Sequence, residues 1–227
     1  NISTAIRNPL RKWKRDLLGL RQKTKQERNR IDMTSQTLRE ARKYEEASEK
    51  MIKQEERPDF HLSVRTGWMN DPNGFSYYNG QYHLFYQYNP YAPRWDSMHW
   101  GHAVTKDFLH WDYLPAALAP DEAYDRDGCF SGSALTLPDG RQLLMYTGVL
   151  RERKENGEHC DTQTQCLAVG DGVDYEKCAG NPVLDKNDIP EGSSVHDFRD
   201  PKMWQAEDGT YCCVVGNRPA DGSGQIL

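Results

Sequence analysis

The first regular pattern of apolar and polar positions is helical and lies between residues 35 and 54. This stretch has no Gly or Pro, and Ser35 stands at its start, where a serine side chain commonly caps a helix. Four apolar residues fall near helical spacing: Leu38, Ala41, Ala47 and Met51. The pattern predicts one charged amphipathic helix within residues 33–56.

From residue 67 onward, short runs rich in Tyr, Phe, Val, Leu and Trp alternate with turn residues, which predicts an all-β architecture. Three pairs of runs have the form of hairpins with a glycine in the turn. In the first, Asn79-Gly80 supplies the two positive φ angles that a type I′ turn needs. The three hairpins are expected at residues 75–88, 133–147 and 202–215, with turn glycines Gly80, Gly140 and Gly209.

Aligning the hairpins on their turn glycines reveals a repeat. Nine residues before each glycine stand Asp71, Ser131 and Asp200, at repeat distances of 60 and 69 residues. Such distances suit four-stranded propeller blades with long loops. The first strand of each blade lines the central channel of a propeller, so these three polar residues are expected to meet there. The alternative is that three turns of an all-β chain align by chance.

Charge is distributed unevenly along the chain. The net charge is −5, but residues 1–60 carry +6 and the remainder carries −11. A basic segment can bind nucleic acid or anionic lipid. Apart from Trp13, however, no aromatic residues are interspersed among the basic residues, which favours a solvated helix or tail. No stretch approaches the roughly 20 apolar residues of a membrane span. We therefore expect neither a nucleic-acid partner nor a membrane partner.

The cysteines and the start of the chain bear on location and processing. The six cysteines form no C-x-x-C pair, which argues against a zinc site. The start lacks the apolar core of a secretory signal, so we expect a cytoplasmic protein with free thiols. The first methionine is Met33, directly before the predicted helix. We hypothesise that Met33 is the native start and that residues 1–32 are upstream or vector-derived sequence.

The segment Gly67-Trp68-Met69-Asn70-Asp71-Pro72-Asn73-Gly74 contains ordinary turn formers, which alone more often indicate structure than chemistry. The polar and aromatic residues that follow it are suited to carbohydrate binding: aromatic rings stack on sugars, and amides, hydroxyls and carboxylates form hydrogen bonds with sugar hydroxyls. These residues include Gln87, Trp95, Trp100, Phe130-Ser131-Gly132 and Phe198-Arg199-Asp200-Pro201. His99 and His102 are explained at least as well by the scaffold, and we leave them out of the site.

The run W-M-N-D-P-N-G is followed by F-Y-Q-Y-N-P, M-H-W-G-H-A, F-S-G-S-A and F-R-D-P. In this order the motifs closely resemble glycoside hydrolase family 32, the invertases and related fructosidases, over residues 57–227. Bacterial sucrose-6-phosphate hydrolases are the nearest likeness, through the run R-P-D-F-H-L that begins at Arg57. The resemblance implies part of a five-bladed β-propeller, with two to three blades in this chain, preceded by a charged α-helix.

Roles follow from the resemblance, residue by residue. Asp71 would be the nucleophile and Asp200 the transition-state stabiliser. Arg199 beside Asp200 is expected to lower the pKa of that carboxyl and keep it ionised. The implied substrate contacts are Asn70, Gln87, Trp95, Phe130, Ser131 and Arg199. No cofactor or metal is expected, and the partner is a small carbohydrate; the oligomeric state is open.

The implied activity is hydrolysis of terminal non-reducing β-D-fructofuranosides, such as sucrose or sucrose 6-phosphate, by a retaining mechanism. The family's acid/base belongs to a Glu-Cys motif that this chain lacks, and the repeat spacing places it beyond Leu227. We therefore expect a truncated catalytic domain, with little or no hydrolysis by these residues alone. Asp96 and Val64-Arg65 depart from the family pattern, which weakens only the fine substrate assignment.

Three alternatives remain open at this point. The first is a fructan hydrolase acting on inulin or levan, although such enzymes usually carry signal peptides. The second is a carbohydrate-binding or vestigial propeller that recognises sugar without turnover. The third is a different five-bladed glycosidase family with arabinose or xylose specificity, which lacks the F-Y-Q-Y-N-P and F-S-G-S-A runs.

Overall fold

The computed structural model describes residues 34–154 and 157–227; the expectations for residues 1–32 and for Met33 lie outside these ranges. Within the described ranges, one α-helix, α1 (Gln36–Glu49), and a short 3-10 helix (Gln54–Glu56) precede the strands. The strands are β1 (Trp68–Tyr78), β2 (Gln81–Asn89), β3 (His99–Thr105), β4 (Asp112–Leu118), β5 (Gly128–Thr136), β6 (Gln142–Arg153), β7 (His159–Gly170), β8 (Tyr175–Lys177), β9 (Arg199–Gln205), β10 (Tyr211–Asn217) and β11 (Gln225–Ile226). Neither helix has the length and apolar character for a bilayer crossing.

The strands form three antiparallel sheets that are the blades of a partial β-propeller. Blade one has the order β1-β2-β3-β4, blade two β5-β6-β7-β8 and blade three β9-β10-β11. The first strand of blade two, β5, lies between β1 and β9 and contacts both. The all-β propeller prediction is therefore confirmed.

The three predicted hairpins are also present, as β1–β2, β5–β6 and β9–β10. Their turn glycines Gly80, Gly140 and Gly209 have φ angles of 84°, 84° and 80°. A side chain at such an angle is strained, which is why glycine occupies each turn. The turn residues in the sequence therefore predicted the three hairpins correctly.

Two of the buried apolar clusters lie on the two faces of blade two. Along β6, Leu144 and Tyr146 belong to a buried cluster with Trp100 of blade one. Their neighbours Leu143 and Met145 belong to a second cluster with Met203 of blade three. Successive side chains of a strand point to opposite faces of its sheet, so one strand joins both interfaces. The continuous apolar run of β6 reflects burial on both sides.

Helix α1 begins as predicted but its buried face differs from the prediction. The Ser35 side chain accepts a hydrogen bond from the Leu38 backbone N–H, which confirms the cap. Leu38 and Ala41 are buried as expected, whereas Ala47 is exposed and Met51 is 82% exposed. The helix ends at Glu49, before Met51, so the apolar pattern overestimated its length.

The interior face of α1 is completed by a charged residue that the apolar pattern could not reveal. Glu45 is only 1% exposed, and its Oε1 accepts hydrogen bonds from the Ala116 backbone N–H at 2.9 Å and from Arg65 Nη1 at 3.1 Å. The Arg42 side chain donates from Nε to the Ala116 carbonyl at 2.9 Å. The helix thus covers the outer strand β4 and satisfies both backbone groups of one edge residue.

Candidate active site

The three residues aligned by the hairpin repeat all lie in β-bulges. In β1 the pairing shifts between Met69 and Pro72, which leaves Asp71 within the irregularity. In β5 the shift leaves out Ser131, and β9 shifts across Asp200. A bulge bends its strand and re-aims a side chain. The first strand of each of the three blades therefore contains a β-bulge near its start, at an equivalent position.

Asp71 and Ser131 are joined by a direct hydrogen bond between blades one and two. The Ser131 hydroxyl donates to Asp71 Oδ2 at 3.0 Å. Asp71 is exposed, and Ser131 is partly exposed. The bond orients an accessible carboxylate and leaves Asp71 Oδ1 outside this interaction. Two of the residues predicted to converge are therefore in contact.

Asp200 is held in an uncommon backbone conformation by a buried hydrogen-bond relay. Its φ angle is 61°, in the left-handed region that few residues other than glycine adopt. The Asp200 backbone N–H donates to Thr147 Oγ1 at 3.2 Å. Thr147 donates to Gln165 Oε1 at 3.0 Å, and Gln165 Nε2 donates to the Phe198 carbonyl at 2.7 Å. Two side chains of blade two thus form hydrogen bonds with the backbone on both sides of Arg199, at Phe198 and at Asp200.

Thr147 and Gln165 are residues that sequence reasoning missed. Both are completely buried, and both lie on middle strands of blade two, opposite one another in the β6–β7 pairing. A polar pair on the middle strands of a blade, where burial is expected, is the one available signal, because buried polar groups need partners. Its target, the backbone of Asp200, is 53 residues from Thr147 and could not be inferred from the pattern.

The expectation that Arg199 lowers the pKa of Asp200 is wrong in its net direction. Burial among the surrounding protein atoms raises this pKa above its ordinary value; Arg199 lowers it, and nearby Asp71 raises it further. The Arg199 Nε to Asp200 Oδ2 distance is 3.9 Å, at the limit of an ion pair, and the Asp200 side chain is 60% exposed. Partial burial of the carboxyl group and the second carboxylate therefore outweigh the arginine.

Arg199 has a closer partner in Asp197, which the sequence analysis also missed. Arg199 Nη1 lies 3.1 Å from Asp197 Oδ1, and Arg218 Nη2 lies 2.9 Å from Asp197 Oδ2. Burial opposes ionisation of Asp197, but the hydrogen bonds and charges of Arg218 and Arg199 lower its pKa overall. Asp197 thus anchors the Arg199 side chain beside Asp200.

Trp95 and Phe130 form an aromatic wall next to the Asp71–Ser131 pair. Their rings meet edge to face with centroids 6.2 Å apart, and Trp95 is 49% exposed. Phe130 directly precedes Ser131 on β5, so the wall lies on the strand segment that contacts Asp71. An exposed aromatic face beside a carboxylate is suited to stacking on a sugar ring.

The remaining predicted contacts, Asn70 and Gln87, differ in accessibility. Asn70 is exposed and precedes Asp71 in the same bulge. Gln87 is only 5% exposed, and its Nε2 donates to the Cys129 carbonyl at 3.0 Å. The Gln87 side chain therefore ties β2 to the start of β5, which leaves its Oε1 as the atom not used in that bond.

Histidines near the site belong to the scaffold. His99 and His102 are completely buried, and His102 Nε2 is 2.9 Å from Nδ1 of His83 in blade one. Among residues 34–154 and 157–227, no group of His, Cys, Asp or Glu is arranged to hold a metal ion.

Comparison with known proteins identifies the family of this fold and site. Residues 61–227 match the model of the glycosyl hydrolases family 32 N-terminal domain. Raffinose invertase of Escherichia coli is 46% identical over 173 residues, covering 75% of this chain and 34% of that protein. Sucrose-6-phosphate hydrolase of Zymomonas mobilis is 44% identical over 176 residues, covering 77% of this chain and 33% of that protein.

Solved structures agree with the sequence comparison. A mutant β-fructofuranosidase of Bombyx mori in complex with sucrose superposes with a TM-score of 0.73 at 38% identity, covering 86% of this chain and 39% of that one. Sucrose-6-phosphate hydrolase of Lactobacillus gasseri gives a TM-score of 0.63 at 35% identity, covering 86% and 37%. The chain spans about a third of the length of the curated relatives. It belongs to glycosyl hydrolase family 32.

Proposed function

We propose that the protein hydrolyses terminal non-reducing β-D-fructofuranosides with retention of configuration, and that Asp71 is its nucleophile. The observation that carries this proposal is the meeting of Asp71 and Ser131 at 3.0 Å, at bulges equivalent to the one that holds Asp200. An accessible, oriented carboxylate next to an exposed aromatic wall has the properties that a glycosyl-enzyme mechanism needs.

In the first step, an oxygen of Asp71 attacks the anomeric carbon of the fructosyl unit. The glycosidic bond breaks, and its oxygen leaves with a proton from a carboxylic acid. In the second step, water attacks the same carbon, releases Asp71 and returns its proton to the acid/base. The Ser131 hydrogen bond supports the first step because it fixes the orientation of the attacking carboxylate.

Asp200 is assigned the role of stabiliser. Positive charge develops on the fructosyl ring in the oxocarbenium-like transition state, and an anion that binds the ring hydroxyls becomes more favourable there. The Thr147 bond to the Asp200 backbone supports this role, since it fixes the position of the carboxylate before substrate arrives. Arg199, held by Asp197, is assigned to the substrate hydroxyls on the same side.

The remaining contacts are assigned by their positions. Trp95 and Phe130 would stack against the sugar, and exposed Asn70 would bond a hydroxyl beside Asp71. Gln87 would act through Oε1, because its Nε2 is already bonded to Cys129. The acid/base is expected from a Glu-Cys motif after residue 227 in the full-length protein.

Sucrose and sucrose 6-phosphate are the proposed substrates. Relatives named for sucrose-6-phosphate hydrolysis and raffinose inversion support a fructosyl group linked to another sugar. The free state of all six cysteines supports the further proposal that the protein works in the reducing cytoplasm. Fractionation of cells expressing the native protein tests that location, and recovery outside the cytoplasmic fraction would contradict it.

The stereochemical course of the reaction tests the proposed mechanism. We expect the full-length protein to release fructose from sucrose, with β-fructofuranose as the first anomer seen by rapid NMR. Initial appearance of the α anomer would contradict a nucleophilic role for Asp71, because direct attack by water inverts the centre. Binding of sucrose without release of fructose would instead favour the carbohydrate-binding alternative.

A further inference from the structure

Trp95 forms half of the aromatic wall but lies in a loop. Residues 90–98 connect β2 to β3. The Asn89 side chain anchors the backbone of this loop: its Nδ2 donates to the Arg94 carbonyl at 2.9 Å, and its Oδ1 accepts from the Tyr91 N–H at 3.1 Å. These bonds fix the chain next to Trp95 but do not act on the indole ring. The orientation of the ring therefore depends on its side-chain neighbours.

The Trp95 ring contacts Phe130 and Arg151. Phe130 meets it edge to face, and the Arg151 guanidinium carbon lies over the ring, 5.7 Å from its centroid. A cation within about 6 Å of an indole centroid is attracted by the negative ring face, so this contact is favourable. Arg151 covers part of the ring, while 49% of Trp95 remains exposed. A sugar can contact Trp95 only where Arg151 does not cover it.

The Arg151 side chain is itself held in place. Its Nε and Nη2 donate to the two carboxylate oxygens of Asp161 at 2.7 and 2.8 Å. This bidentate geometry fixes the guanidinium plane as well as its position. The same hydrogen bonds lower the pKa of Asp161 despite its partial burial, so the carboxylate stays ionised near neutral pH. The Arg151 backbone N–H donates to Asp127 Oδ2 at 2.7 Å, which ties β6 to the segment before β5.

The Arg151–Asp161 pair is built on regular strands of blade two. β6 and β7 pair residue by residue as far as Arg153. Within this ladder Arg151 lies directly opposite Asp161. Side chains on strands are held more precisely than side chains on loops. The ion pair therefore gives the Trp95 loop of blade one a fixed contact on blade two.

We propose that Arg151, fixed by Asp161, is a positioning residue that holds the Trp95 ring in the orientation in which the sugar binds. The inference rests on the proposed fructosidase function, because it explains how the aromatic wall of that site is kept in place. Arg151 acts through Trp95 and is not assigned to the reacting atoms. An indole that is already oriented loses less side-chain freedom when the sugar binds, so the sugar binds more tightly.

Loss of Arg151 should affect substrate binding and leave the chemical step intact. A wall that stacks on the sugar does so equally in the ground state and the transition state, and loss of such uniform binding raises KM without lowering kcat. Arg151→Met should raise KM for sucrose in the full-length protein about 3- to 10-fold, with kcat within about twofold of the wild-type value. Asp161→Asn keeps the guanidinium but weakens the bidentate pair, and should raise KM about 2- to 5-fold.

The matched control is Arg141→Met. Arg141 also donates from Nε and Nη2 to an aspartate, Asp139, at 3.0 and 2.7 Å. That pair lies in the turn between β5 and β6, at the other end of β6 from Arg151. The control should leave both KM and kcat unchanged. An equal rise in KM for Arg141→Met and Arg151→Met would attribute the effect to a general loss of stability and overturn the assignment.

A combined substitution tests whether Arg151 acts through Trp95. In the Trp95→Ala protein, Arg151→Met and Asp161→Asn should each change KM by less than about twofold, because the ring that they position is gone. If these substitutions kept their full effects in the Trp95→Ala protein, the inference would be overturned. Wild-type KM values in both single variants, Arg151→Met and Asp161→Asn, would also overturn it.

A binding measurement separates this inference from the proposed function. Calorimetry with sucrose and the full-length Asp71→Asn protein requires no turnover. Adding Arg151→Met to that protein should raise Kd about 3- to 10-fold, and only while Trp95 is present. An unchanged Kd overturns the positioning role. A wild-type protein that does not hydrolyse sucrose, together with the expected change in Kd, counts against the proposed function alone.

Discussion

The Ser131 hydroxyl donates a hydrogen bond to Asp71 Oδ2 at 3.0 Å, which links the first strands of two neighbouring blades. The two residues are 60 positions apart and occupy equivalent bulges, so the propeller repeat itself creates the contact. Ser131 thus positions the proposed nucleophile.

Replacing Ser131 with Ala should lower kcat/KM for sucrose in the full-length protein. A hydrogen bond to a charged group contributes about 1.5–3 kcal/mol, which corresponds to roughly a 10- to 100-fold loss if the bond serves the transition state. Ser223→Ala, at an exposed serine, is the control and should leave the rate unchanged. Wild-type kinetics in Ser131→Ala would show that the bond is dispensable.

Removing the Thr147 hydroxyl should lower kcat more than it raises KM. Thr147→Val keeps the shape of the side chain but leaves the Asp200 N–H without its acceptor, so the stabiliser loses its fixed position. We expect about a tenfold fall in kcat. Thr147→Ser retains the hydroxyl and should recover most of the rate. Equal losses in the Val and Ser variants would point to packing as the cause.

Lys177 should be essential for the stability of the contact between blade two and the preceding loop. Its Nζ lies 2.5 Å from Oδ2 of Asp125, which is completely buried and also accepts from the Tyr146 hydroxyl at 2.7 Å. Lys177→Met would leave a buried carboxylate without its cation, which typically costs about 3–5 kcal/mol. Urea unfolding measures the loss, and Lys186→Met at an exposed position should change the free energy of unfolding by less than about 0.5 kcal/mol.

Buried neutral histidines predict a loss of stability in mild acid. Burial lowers the pKa of His99 to about 4 and lowers that of His102 well below its usual value. In the unfolded chain these histidines bind protons below about pH 6.5, whereas in the folded chain they stay neutral. The free energy of unfolding is therefore greatest above pH 6.5 and falls as the pH falls toward 4. The neutral state of His99 contributes roughly 3 kcal/mol to the free energy of unfolding at neutral pH.

The measurement is the free energy of unfolding in urea at several pH values between 7 and 4.5. His99→Gln removes the titrating group, so its curve should fall less steeply with acid than the wild-type curve. His61→Gln, at an exposed histidine, should keep the wild-type slope. Parallel curves for wild type and His99→Gln would contradict the account.

Turn chemistry and periodicity were sufficient to predict the fold class and the three hairpins. Glycines with positive φ are required at specific turn positions, and that local requirement is visible in the chain. The repeat also placed Asp71, Ser131 and Asp200 at equivalent positions, which the bulges confirm. These features depend on neighbouring residues and on strand order.

Features that depend on distant partners could not be predicted. Glu45 lies on the same helix face as Leu38 and Ala41, where an apolar residue is expected, yet Arg65 and the Ala116 backbone allow its burial. The Thr147–Gln165 relay acts on a strand of another blade. The net pKa shift of Asp200 reflects burial and Asp71, whereas its neighbour in sequence, Arg199, suggested the opposite direction.

Substitution of Asp71 tests the central claim most directly. Asp71→Asn is nearly isosteric and retains an oxygen that can accept the Ser131 hydrogen bond, but it removes the nucleophilic carboxylate. We predict that sucrose hydrolysis by the full-length protein falls at least about 1,000-fold, while Asp59→Asn at an exposed position retains full activity. Hydrolysis by Asp71→Asn at a rate close to that of the wild type would contradict the account.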